Sequence, residues 1–181
     1  MLTRRTCLKN LALASAACAL PFDLLHAFEA GDLIKRAIPK GGETLPVVGL
    51  GSSATFRQVA QSEDISALRS VLSTMLDNGG TVFDTAPSYG ASEEVAGQII
   101  QDSGKTDAVF WATKLNVAGR GGGSADPVRA REQVARSFDY IGKDPIDLIQ
   151  VHNLADLETQ MPILQELKAE GRIRYIGTTS T

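Results

Sequence analysis

Cysteine is almost missing from this chain: among 181 residues only Cys7 and Cys18 carry a thiol. Both fall in an N-terminal segment that reads as removable, so residues 28–181 hold none. Disulfides and thiolate metal sites are thereby excluded from that part. Histidine is equally scarce, His26 and His152, and only the second lies beyond the leading segment. There is no basic stripe and no interleaved aromatic run, and the net charge is −3, so nothing points to nucleic acid. No Gly-x-Gly-x-x-Gly marks the first strand-to-helix turn, and no Gly-x-x-x-x-Gly-Lys-Ser/Thr run occurs. The glycine-rich stretch Gly119–Ser124 therefore reads as a loop serving a site rather than a phosphate cradle. No apolar run is long enough for a stable membrane span. The remaining composition, 43% hydrophobic, fits one soluble globular domain.

The first 27 residues carry a targeting pattern. Met1–Lys9 is short and basic, Leu11–Leu20 is apolar and alanine-rich, Pro21 breaks the run, and Leu25-His26-Ala27 offers a cleavage site. That is the three-part layout of a signal peptide. Arg4-Arg5, with Leu8 and Lys9 following, resembles a twin-arginine export signal, although Cys7 stands where phenylalanine is usual. A general secretory signal shares the layout, and a lipoprotein signal ending at Cys18 is a further alternative. The expectation is an export signal over 1–27, read by export machinery and leading to the periplasm, followed by a domain over 28–181.

Beyond it the chain alternates. Residues 36–46 read as a small hairpin turning at Gly41-Gly42, and Val47–Gly51 as the first core strand. Ile65, Leu68, Leu72, Met75 and Leu76 share one face of a helix over 63–78, capped by Ser62 and ended by Gly79. A second strand ends at Asp84. Ser92 reads as the cap of a helix with Glu93 and Glu94 in its first turn, where the dipole favours acids. A third strand runs into Lys114, and Asp126-Pro127 opens the next helix. A fourth strand, 146–151, runs into His152; a helix around 163–170 and a fifth strand, 173–177, follow. Trp111 and Tyr175 read as core. Strict alternation with short joins implies a parallel α/β sheet.

Four polar residues then stand out. Asp84, Lys114 and His152 fall at the ends of successive strands, and Tyr89 lies five residues after Asp84. In a parallel sheet all four collect at the C-terminal edge, where barrel active sites lie. An acid, a phenol, an amine and an imidazole can move a proton. They make a poor metal cage, since lysine is not a usual ligand.

Asp84-Thr85-Ala86-Pro87-Ser88-Tyr89-Gly90-Ala91-Ser92-Glu93 resembles the signature of aldo-keto reductases. Thr44–Gly51, Ala112-Thr113-Lys114, Asp147–His152 and Gly171–Gly177 resemble further stretches of that family in order and spacing. The resemblance covers residues 36–181. It implies a TIM (β/α)8 barrel and the NAD(P)H-dependent reduction of a small aldehyde or ketone to an alcohol, with NADP(H) preferred over NAD(H) and no metal. Tyr89 is then the acid; free tyrosine has a pKa of about 10, and a nearby Lys114 favours the phenolate. Asp84 pairs with Lys114, and His152 orients the carbonyl. Thr179 and Ser180 stand where the family has Ser-Asn touching the nicotinamide.

A complete barrel has eight strands and about 250 residues, whereas five strands are legible here. The sequence is therefore expected to be a barrel truncated after the fifth strand, leaving open whether it is active alone. Two other readings remain: a non-catalytic barrel relative that binds without turnover, and a different, metal-dependent barrel enzyme. The latter lacks the second histidine or carboxylate cluster it needs.

Overall fold

Short apolar runs separated by helical periods direct the chain to and fro across one sheet, and a computed structural model shows how. It describes residues 33–39, 41–118 and 123–180. The export signal read from 1–27 and most of the glycine-rich run (119–122) lie outside the described residues.

Strands β1 (Lys35–Ala37) and β2 (Thr44–Pro46) pair antiparallel around Gly42, whose φ of 71° only glycine adopts readily. Five strands follow: β3 (Leu50–Gly51), β4 (Val82–Asp84), β5 (Phe110–Leu115), β6 (Ile146–Val151) and β7 (Ile173–Thr178). They form one parallel sheet in chain order. Helices α1 (Thr55–Ala60) and α2 (Ser66–Asp77) join β3 to β4. Helices α3 (Ser92–Asp102), α4 (Pro127–Ile141) and α5 (Leu157–Ala169) make the later crossovers. Such a sheet fits consecutive units of a βα barrel.

Alternate strand residues point to opposite faces. Phe83 and Trp111 pack edge to face, centroids 5.2 Å apart, and Phe56 of α1 meets Phe83 at 5.4 Å. Leu72, Ile100, Ile141 and Leu164 close over this face from the helices, all buried. Asp84 and Lys114, on the opposite parity, point to the other face.

Several local expectations shift. The first core strand contracts to Leu50–Gly51, with Val48 exposed. Helix α1, too short for a periodic signal, had none in the sequence. Helix α2 starts at Ser66, where Asp64 Oδ1 accepts the Ser66 N–H (2.9 Å), while the Ser62 hydroxyl turns back to donate to Val59 O (2.7 Å). Ser92 lies inside α3 and donates to Ser52 O (3.0 Å), tying helix to strand end rather than capping. Helix α4 opens as the sequence predicts: Asp126 accepts the Val128 N–H (2.8 Å) and Pro127 takes the first position. Helix α5 begins at Leu157, because Asp156 accepts the Thr159 N–H (3.4 Å) and supplies a start earlier than the apolar pattern. Tyr175 is only half-buried, since its hydroxyl donates to Glu43 (3.1 Å) at the opposite end of the sheet from the candidate site.

Candidate functional site

Register gathers the strand ends. Asp84 pairs opposite Ala112 in the sheet, two residues before Lys114, and Lys114 stands opposite Gln150, two residues before His152. Lys114 is not the strand's last residue; Leu115 extends β5 beyond it.

The Lys114 side chain is 5% exposed, and an amine buried to that extent needs hydrogen-bond partners. It donates to both Asp84 oxygens, at 2.7 and 2.9 Å, and to Thr85 O at 2.8 Å. Three donors thus meet three oxygen atoms, and the Asp84 carboxylate stays 42% exposed. The third acceptor was not read from the sequence, although an ammonium has three donors to satisfy. The same Nζ lies 5.1 Å from the centroid of the Tyr89 ring. Tyr89 meets His152 edge to face with centroids 6.1 Å apart. The structure therefore brings all four predicted residues into one continuous cluster. Tyr89 sits after β4 in a turn closed by its N–H donating to Ala86 O (2.9 Å).

Behind the cluster is a carboxyl that the sequence placed in the first turn of a helix. Glu93 is buried and accepts the Thr113 hydroxyl at 2.5 Å. Burial raises its pKa above the usual carboxylate range, opposed by hydrogen bonds from Thr113 and Ser137 and by the charge of Lys114.

The loops at this edge are tied to helices. Gln133 accepts the Asn116 N–H (2.7 Å), and buried Gln160 accepts the Val117 N–H (3.3 Å) while donating to Ala155 O (2.5 Å). Asp156 accepts the Ala125 N–H (2.7 Å); that bond, then those to Thr159, hold its carboxyl below the usual range. These anchors escaped the sequence analysis. An amide inside an apolar helical pattern, as at Gln160, was their one signal.

Thr179 follows β7 directly, and its hydroxyl accepts the Asn153 N–H at 2.8 Å. Ser180 is exposed. Among the described residues, no group of three histidines, cysteines or acids is arranged to hold a metal, and no helix is long and apolar enough to cross a membrane.

Comparison with known proteins adds an independent finding. The family model described as "Aldo/keto reductase family" matches residues 47–181. The chain is 34% identical over 141 residues to Aldo-keto reductase YhdN of Bacillus subtilis, covering 74% of this chain and 43% of that protein. It is 29% identical over 170 residues to the NADH-specific methylglyoxal reductase of Escherichia coli, covering 80% and 52%. Among solved structures, an aldo-keto reductase from Bacillus halodurans in its holo form superposes with a TM-score of 0.65 at 26% identity, over 82% of this chain and 50% of that one. The aldo-keto reductase from Klebsiella pneumoniae in complex with NADPH gives 0.61 at 27%, over 82% and 51%. The chain spans about half the length of these relatives.

Proposed function

The chain belongs to the aldo/keto reductase family, and from that premise we propose that it reduces a small aldehyde or ketone to an alcohol, using NADP(H) in preference to NAD(H). The observation that supports this most is the Asp84–Lys114–Tyr89–His152 cluster, held by the 2.7 Å ion pair at one end and the Tyr89–His152 ring contact at the other. The NADPH bound to the Klebsiella pneumoniae protein favours the phosphorylated cofactor, as does the NADP(+) in the name of a Schizosaccharomyces pombe relative 29% identical to this chain.

The residues suit the nicotinamide end of such a cofactor. A carboxamide needs both donors and acceptors, and the hydroxyls of Thr179 and Ser180, just after β7, offer both types. When bound, the reduced nicotinamide supplies the hydride. This chain's part is the proton. Tyr89 donates its phenolic proton to the carbonyl oxygen as negative charge builds there. Lys114, 5.1 Å from the ring centroid, stabilises the phenolate left behind, and Asp84 and Thr85 O keep the ammonium from swinging away. His152 orients the carbonyl towards Tyr89.

NADPH titration of the purified chain, followed by nicotinamide fluorescence, tests binding. Tyr89→Phe tests chemistry: turnover of simple aldehydes is expected to fall by about a hundredfold or more with NADPH affinity retained. Equal turnover in Y89F would remove Tyr89 from the role, and binding without turnover in the wild type would favour a non-catalytic relative.

We also propose that residues 1–27 direct export to the periplasm by the twin-arginine route, on the pattern around Arg4-Arg5. Fused to a reporter, this segment should deliver it to the periplasm. Replacing Arg4 and Arg5 by Lys should stop delivery; delivery that persists points to a general secretory signal.

A further inference from the structure

We propose that Thr179 is a positioning residue that clamps the turn carrying His152, a reading that rests on the role given to His152 above. The last rung of the β6–β7 ladder pairs Val151 with Thr178. Thr179 extends it in two ways. Its N–H donates to Val151 O at 3.0 Å, and its Oγ1 accepts the Asn153 N–H at 2.8 Å. One residue thus holds the backbone on both sides of His152.

The clamp has a strained turn to hold. Asn153 and Leu154 have φ of 56° and 54°. Asparagine tolerates the left-handed region, but leucine there is costly and persists only where neighbouring contacts fix it. The turn is also where β6 gives way to a single helical turn, so the sheet ladder offers the Asn153 N–H no partner; the Thr179 hydroxyl takes that place. Without that hydroxyl the N–H, in a half-buried site, loses its acceptor, and the turn relaxes. His152 is itself buried and stands edge-on to Tyr89, so its ring shifts relative to the phenol when the turn does. This task differs from the nicotinamide contact that the family resemblance suggests for Thr179, and it leaves the hydroxyl's own proton available.

The test needs no turnover. The full chain with His26→Gln keeps one histidine, so the ring Cε1–H of His152 gives a single NMR signal, sensitive to the Tyr89 ring current. T179V is expected to move or split that signal, and T179S, which keeps the hydroxyl, to restore it. An unmoved signal in T179V, or an equal displacement in T179S, overturns the proposal. In the unsubstituted chain, the Asn153 amide is expected to be protected from hydrogen exchange; exchange at the rate of an open loop amide also overturns it, whether or not T179V folds. Where carbonyl reduction is measurable, kcat of T179V is expected to fall by about tenfold to a hundredfold, whatever the change in NADPH affinity. A loss confined to NADPH affinity assigns Thr179 to the cofactor instead. A wild-type chain without carbonyl reduction counts against the reductase reading, while the NMR and exchange results still decide the clamp.

Discussion

At the scale of single residues, burial decides which charges are at risk. Lys114 remains a buried cation because three oxygens from two adjacent residues, Asp84 and Thr85, receive it. Glu93 has the weaker arrangement. It lies against Thr113 with Lys114 as a nearby charge, and burial still raises its pKa. The sign of the resulting pH dependence follows from linkage. Below about pH 4, near the ordinary glutamate value of about 4.3, both folded and unfolded states hold the proton and Glu93 has no effect. As pH rises from there towards the elevated folded-state value, the unfolded chain ionises first and the fold loses stability. Above both values the loss is constant. Glu93→Gln, which keeps an acceptor for Thr113, should therefore gain stability over the wild type as pH rises through this window. Urea denaturation at pH 4 and pH 7 checks this. A difference between the two proteins that is the same at both pH values would mean that Glu93 titrates normally.

At the scale of elements, close approach between helices sets the tightest limit. A Cβ on Gly97 of α3 would lie 1.9 Å from Tyr140 O of α4. No side-chain rotation relieves a clash with backbone. Gly97→Ala should thus push α3 from α4 and destabilise the chain by about 1–3 kcal/mol or more, lowering the midpoint of thermal unfolding followed by circular dichroism. An unchanged midpoint would show that the helices can slide apart freely. This contact was invisible in the sequence, where Gly97 is one small residue in an amphipathic run. What was legible were features with local causes. The Asp126-Pro127 helix start, strand 146–151 and the hairpin turn at Gly42 depend on residues adjacent in the chain. The gathering of Asp84, Lys114 and His152 at one edge of the sheet followed from parallel register. What stayed hidden depended on distant partners: Ser92 serving Ser52, Tyr175 reaching Glu43, Glu93 folding inward to Thr113, and the glutamine anchors behind the loops. Helix α1 was hidden for a different reason, since six residues hold too little of a helical period to read.

At the scale of the whole described fold, the end of the sheet away from the candidate site is closed by charge. Asp147, fully buried, accepts the Trp111 N–H at 2.8 Å and Lys143 Nζ at 2.7 Å, and also pairs with Arg174. Arg174 and Tyr175 in turn hold Glu43, which sits between the hairpin turn and β2. Glu43 and Arg174 are 131 residues apart in sequence. Closing so long a loop carries an entropic cost before the contact rewards it, so this contact is expected to form after the rate-limiting step. The hairpin then acts as a latch on a sheet that is already assembled. Removing it, as in Glu43→Ala, should leave the refolding rate unaltered and accelerate unfolding by about fivefold, equivalent to about 1 kcal/mol. Stopped-flow measurements in both directions separate the two limbs, and slower refolding would place the hairpin in the folding nucleus. A latch that closes last governs how long the folded chain lasts and has no bearing on how quickly it is made.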